Sequence, residues 1–314
     1  MSERTAGARG TRAASATNLE RCAFSFRSSF GRILAIATNT LTELTRQKAF
    51  YVLLIFALML IGSSIFVAKF TFQQEFQILK DLSLGAMSIF NSLLAIVAAA
   101  RLISQDIEDR TIYTILAKPV PRFEYLLGKL FGVLLLLAVS IAVMTVLFVA
   151  LLYFREQVVF GETVRQLNNV PPEQLNEALN SVRAAAFNID IFAGVIVIFL
   201  KACLLAALTL LVSTFATTNI FTVVVMVFVY FIGHLQATAR EYWLQQPHAG
   251  WIARGSLALV ALILPDLQAF NLVDDIVAGV AIPMAIFIKT MALGFFSIAI
   301  YTLAATFVFY GKEL

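Results

Sequence analysis

Few residues in this chain have the type and spacing needed for chemistry, and those few point away from catalysis. A phosphate-cradling loop requires G-x-x-x-x-G-K-[ST], whose backbone amides and Lys hold the phosphates. Gly128-Lys129 supplies the Gly-Lys pair, but Phe123 stands where the first Gly belongs and Leu130 follows the Lys. The chain therefore offers no phosphate-cradling loop at this pair. His234 and His248 are the only histidines, and neither belongs to an H-E-x-x-H pair or accompanies a G-x-S-x-G turn. Cys22 and Cys203 are the only cysteines, so neither a disulfide framework nor a thiolate metal site has a basis. No cofactor or metal is expected on this chain. Two features remain. Lys201 is a cation well inside an apolar run, and residues 105–132 read QDIEDRTIYTILAKPVPRFEYLLGKLFG, mixed charges around two prolines.

The elements that must position these residues are set by hydropathy. Of the 314 residues 60% are hydrophobic and 13% charged, too little polar surface to coat a water-soluble globule, so the lipid bilayer must serve as part of the solvent. Runs such as 130–154 are apolar on every side, not alternating, which predicts helices and excludes a barrel. The fold expected is an all-α integral membrane protein with six spans at about 49–68, 82–104, 130–153, 191–215, 219–235 and 285–310. These belong to one transmembrane domain, 27–314, after a disordered cytosolic tail, 1–26, that is rich in Ala, Ser, Thr and Arg. Residues 155–190 form an external loop in which 173–187 can make a short helix. The run within 256–265 is too short to cross before Pro265 and reads as a re-entrant or interfacial segment.

Between Arg27 and Lys48 the apolar residues Phe30, Ile33, Leu34, Ala37, Leu41 and Leu44 recur at helical spacing, which fits a helix lying in the cytoplasmic interface or a plain juxtamembrane linker. Lys and Arg concentrate on the segments shared by the amino terminus, the 105–129 connection and Lys312, so both termini are expected in the cytosol. The net charge of +4 flanks membrane segments and forms no stripe for nucleic acid. Two readings stand for Lys201: it lines a polar route through the bundle, or its long stem carries the ammonium to the headgroups. Lys289 reads as a snorkelling anchor.

The 105–129 segment has the grammar of a rigid cytosolic elbow. Asp109 suits the cap of a helix from Arg110 to Ala117 that Pro119 ends, and Pro121 suits the first turn of a second helix running into the third span. It presents Thr111, Ile112, Tyr113, Ile115 and Leu116 framed by Asp106, Glu108, Asp109, Arg110, Lys118 and Arg122, a mix suited to a partner's groove.

At Glu108, Thr111, Leu116, Pro119, Arg122, Gly128 and Lys129 this segment resembles the pattern E-x-E-x-x-T-x-x-x-L-x-x-P-x-x-R-x-x-x-x-x-G-K of the ABC type-2 permeases, with Asp106 in place of the first Glu and one more residue between Thr111 and Leu116 than the pattern has. The resemblance implies a coupling helix that receives nucleotide-driven motion from a separate ATPase subunit, with Asp106, Glu108, Asp109, Arg110, Thr111, Tyr113, Leu116, Pro119, Arg122 and Lys129 as its contact residues. It further implies a permease subunit of an ATP-driven exporter, ATP bound by the partner and not by this chain, and a second permease copy or a similar permease as companion. The expected location is the cytoplasmic or inner membrane of a prokaryote, as a multi-pass protein. The alternative of another class is a membrane anchor or scaffold that passes ATPase motion to extracytoplasmic partners without transport. An intramembrane enzyme would need polar residues gathered on facing helices.

Overall fold

The computed structural model describes residues 29–69, 75–108, 121–166, 171–188, 190–216, 218–245, 265–271, 276–277 and 283–311. The 1–26 tail, residues 256–264 of the expected re-entrant segment, and Asp109, Arg110, Thr111, Tyr113, Leu116 and Pro119 of the elbow lie outside them.

The described residues are helical, without strands. In chain order the helices are α1 (29–45), α2 (Lys48–Lys69), α3 (Glu75–Glu108), α4 (Arg122–Gln166), α5 (Pro172–Ala186), α6 (Asp190–Phe215), α7 (Asn219–Gln245) and α8 (Met284–Gly311), with a 3-10 turn at Leu267–Phe270. Six of them, α2, α3, α4, α6, α7 and α8, are long and apolar enough to cross a membrane. The end of the bundle where α3 stops and α4 starts is its near end, and the opposite one its far end.

The bundle is built around α6. Its buried residues lie on all sides, from Ile191 to Thr214, because α3, α4, α7 and α8 all pack against it. An element apolar all round is what such a central position requires. Two polar contacts fix its register on α3: Lys201 meets Ser88, and Ser213 donates to the carbonyl of Ala100, both across 113 residues of sequence. A constant offset means that α3 and α6 run parallel, side by side. By contrast α2, with Val52, Ile55, Phe56, Met59 and Phe66 exposed, and α8, with Phe295, Phe296, Leu303 and Phe307 exposed, turn apolar faces outward. Large apolar faces left uncovered on a bundle are expected where lipid is the solvent.

Helix α4 differs from expectation. It continues through the polar residues after Tyr153 to Gln166, 45 residues in all. The continuation is held by ion pairs: Arg155 bonds Glu75 of α3, with Nε to Oε2 at 2.9 Å, and Glu156 lies 3.9 Å from Arg183 of α5. Lys80 of α3 donates to the carbonyl of Ala185 at 2.7 Å. Helix α5 starts at Pro172, whose missing N–H costs nothing in a first turn, and folds back beside α4.

Candidate functional site

The described parts of the elbow are the end of α3 and the start of α4. Pro121 stands before the helix and accepts from the Tyr125 amide at 3.2 Å, so the second half of the segment runs straight into the third span as one rod. On the other side, α3 carries Asp106 and ends at Glu108, so the acidic start of the segment extends the second span's helix.

Four side chains of the first turns of α4 reach neighbouring helices, Arg122 and Tyr125 toward α8, and Glu124 and Lys129 toward α1. Nη1 of Arg122 donates to the carbonyls of Phe309 and Tyr310, both at 3.3 Å, and its guanidinium lies 6.0 and 5.8 Å from their ring centres. A cation suits these unsatisfied last carbonyls at the negative end of α8. Tyr125 stacks on Phe309 with ring centres 6.3 Å apart, and both are buried. Toward α1, Glu124 accepts from Arg32 Nε at 2.7 Å and Nη2 at 2.9 Å, a bidentate pair that also receives support from Ser29, which accepts from Arg32 Nη2 at 3.1 Å. The Glu124 hydrogen bond raises the Arg32 guanidinium above its ordinary range. Lys129 lies 3.8 Å from Glu43 of α1 and 5.9 Å from the Tyr125 ring centre.

Glycine permits the approach of α1. A Cβ placed on Gly128 would lie 2.7 Å from Ile36 Cβ, and one on Gly132 would lie 2.6 Å from Thr40 Cβ and 2.9 Å from the Ala37 carbonyl. Gly128 and Gly132 are one small-xxx-small notch into which α1 settles. The face of α1 turned to it includes Ala37, Thr40 and Leu44, all buried, whereas Phe30 and Leu34 remain exposed. The apolar stripe read from sequence thus divides between protein and outside. Sequence reasoning treated Gly128 as a motif letter only; the four-residue spacing to Gly132 was the signal for its packing role.

Lys201, Ser88 and His234 form the second polar centre. The Lys201 side chain is 2% exposed, with Nζ 3.2 Å from Ser88 Oγ on α3 and 2.9 Å from His234 Nε2 on α7. Its stem points into the bundle, so the headgroup-seeking conformation is not the one adopted. His234 Nδ1 lies 2.9 Å from the carbonyl of Tyr230, which assigns the ring proton to Nδ1 and leaves Nε2 to accept from the ammonium. The Tyr230 ring centre is 5.7 Å from Nζ. Lys289, by comparison, is exposed on α8. Sequence reasoning singled out Lys201 but missed His234 and Ser88, because partners on three helices are not visible as spacing.

The near-end centre is a joint that ties α1, α4 and α8, and the inner centre is a buried cation held by neutral groups. A search of curated proteins finds no match to this chain. A family model described as ABC-2 family transporter protein does match, over residues 34–314, and the chain therefore belongs to that family as a multi-pass membrane subunit of an ABC transporter.

Proposed function

We propose that this chain is the permease half of an ATP-driven exporter, in a prokaryotic cytoplasmic or inner membrane, with the near end in the cytosol. A separate ATPase subunit binds ATP and docks on residues 105–129, and a second permease copy or a similar permease completes the pathway. The observation that carries this reading is the three-way joint at the start of α4. Arg122 holds the end of α8, Glu124 and Lys129 hold α1, and the notch at Gly128 and Gly132 seats α1. Displacement of the elbow by a partner would move all three elements together instead of bending one loop. ATP-dependent closure supplies a bias only if the two permease states differ in their contacts, and this joint is where they would differ. Lys201, in the middle of the bundle, is assigned to the route that the cargo takes.

The scaffold alternative draws support from the far end. There the α4 continuation and α5 are fastened by Arg155–Glu75, Glu156–Arg183 and Lys80–Ala185, a fixed platform on which an extracytoplasmic partner could rest.

Co-purification from native membranes in mild detergent tests the main reading. An ATPase should accompany the wild-type chain and be lost from Glu108→Lys while membrane insertion persists. No ATPase with either chain would move the assignment to a stand-alone scaffold, and normal coupled activity in both Glu108→Lys and Arg122→Glu would remove residues 105–129 from the contact.

A further inference from the structure

We infer that the Lys201 centre binds an amphiphile with an anionic headgroup, the anion taken by Lys201 and the apolar chain lying in the groove between α3 and α7.

The charge comes first. An ammonium has three N–H donors, and Lys201 directs them at two neutral acceptors, Ser88 and His234. Among the described residues no carboxylate pairs with it. A buried ion without a counter-ion is costly, since neutral dipoles replace only part of its hydration. In a bundle whose other described buried cations, Lys80, Lys129 and Arg155, each meet a carboxylate or a carbonyl oxygen, Lys201 lacks its anion.

A second observation comes from α3. Asn91 is fully buried, and neither Oδ1 nor Nδ2 makes a hydrogen bond. It follows Ser88 by three positions and so shares its face of the helix, one turn nearer the near end. The parallel register of α3 and α6 keeps that face against α6. An amide without a hydrogen bond, one helical turn from the Ser88 that meets an ammonium without a counter-ion, is a donor set for an oxyanion.

The groove supplies the other half of the ligand. Ile89, Leu93 and Ile96 of α3 and Val227, Tyr230 and Phe231 of α7 line a pocket with almost no polar surface. Ile89 and Phe231 are more than half exposed, so the groove opens on the outer face of the bundle. Tyr230 belongs to both halves: its ring lines the groove and stands beside the Lys201 ammonium. A small soluble anion would gain nothing from the apolar lining, and a neutral lipid nothing from the ammonium. A molecule with an acyl-type chain and a phosphate or carboxylate uses both.

This names the class of molecule for the proposed route and rests on that reading only in treating the ligand as cargo. Binding is measured on the full chain without the ATPase, so its failure is separate from loss of ATPase co-purification. Native mass spectrometry of the delipidated chain would compare phosphatidylglycerol, oleate and phosphatidylcholine. Phosphatidylglycerol or oleate should bind about tenfold more tightly than phosphatidylcholine, the size of a hydrogen bond to a charged group, and which of the two wins identifies phosphate or carboxylate. Lys201→Met should abolish that preference and Lys201→Arg keep most of it. Leu93→Trp, which fills the groove with Lys201 intact, should weaken anionic binding severalfold and keeps the proposal testable where Lys201→Met does not fold. Equal binding of the three lipids by wild type, an undiminished preference in Lys201→Met, or unchanged binding in Leu93→Trp would overturn it.

Discussion

Arg32 of α1 and Glu124 of α4, 92 positions apart, form a two-pronged hydrogen-bonded pair at 2.7 and 2.9 Å. Glu124 is two residues past Arg122, which holds the last turn of α8. One turn of helix thus fastens the amino-terminal helix and the last span to the segment that meets the ATPase in the proposed reading. Planar guanidinium and carboxylate fix orientation as well as distance, so the pair ties the orientation of α1 to that of α4.

Charge reversal at either partner should uncouple the joint without unfolding the bundle. Arg32→Glu or Glu124→Arg should each lower permease-stimulated ATPase activity about tenfold, within the range measured for coupled contacts. The double swap should restore a large part of it. Purified complex assayed with and without permease reads this, and a double swap no better than the single variants would show that the pair does not transmit motion.

The glycine notch predicts a stability difference. Gly132→Leu must push Thr40 and the Ala37 carbonyl aside, since even its Cβ falls within 3 Å of both. The expected loss is about 1–3 kcal/mol, the usual consequence of overpacking. Gly62→Leu, on α2 with open space around its Cβ position, is the control and should be near neutral. Thermal unfolding in detergent separates the two, and equal melting temperatures would mean that α1 is not seated as described.

Legibility in the sequence followed the physics of each feature. Hydropathy foretold six crossing helices because burial in lipid is paid residue by residue along a run. The continuation of α4 past Tyr153 was not visible, because Arg155 and Glu156 read as loop residues until Glu75 and Arg183 are placed beside them. Lys201 stood out as a charge in an apolar run, yet Ser88 and His234 lie 113 and 33 positions away and carry no local signal. The stripe on α1 was legible as a stripe; that Thr40 would be buried and Phe30 exposed depended on where Gly132 let the helix settle.

At the far end, Arg155→Ala should cost about 2–3 kcal/mol, because it strands Glu75 in a partly buried site, the usual penalty for breaking such a pair from one side. Glu75→Gln with Arg155→Met removes both charges and should recover most of the loss. The double variant measured against Arg155→Ala by thermal unfolding checks this. A double variant as unstable as the single would place the contribution of Arg155 in packing along its stem and not in the pair.

Asn91 sets stability against binding. Its two amide atoms are buried with no hydrogen bond, so in the unliganded chain they contribute an uncompensated desolvation cost of about 1–3 kcal/mol. Asn91→Leu replaces the amide with an apolar group of similar shape and should raise the melting temperature of the delipidated protein. The same substitution removes a donor from the anion site, so the preference for phosphatidylglycerol or oleate over phosphatidylcholine should fall severalfold. A gain in stability with binding unchanged would make Asn91 a tolerated packing defect, whereas loss of both would mean that the amide is already satisfied within the bundle. Only the opposed pair of changes, more stable and less able to bind, fits a side chain kept polar for a ligand.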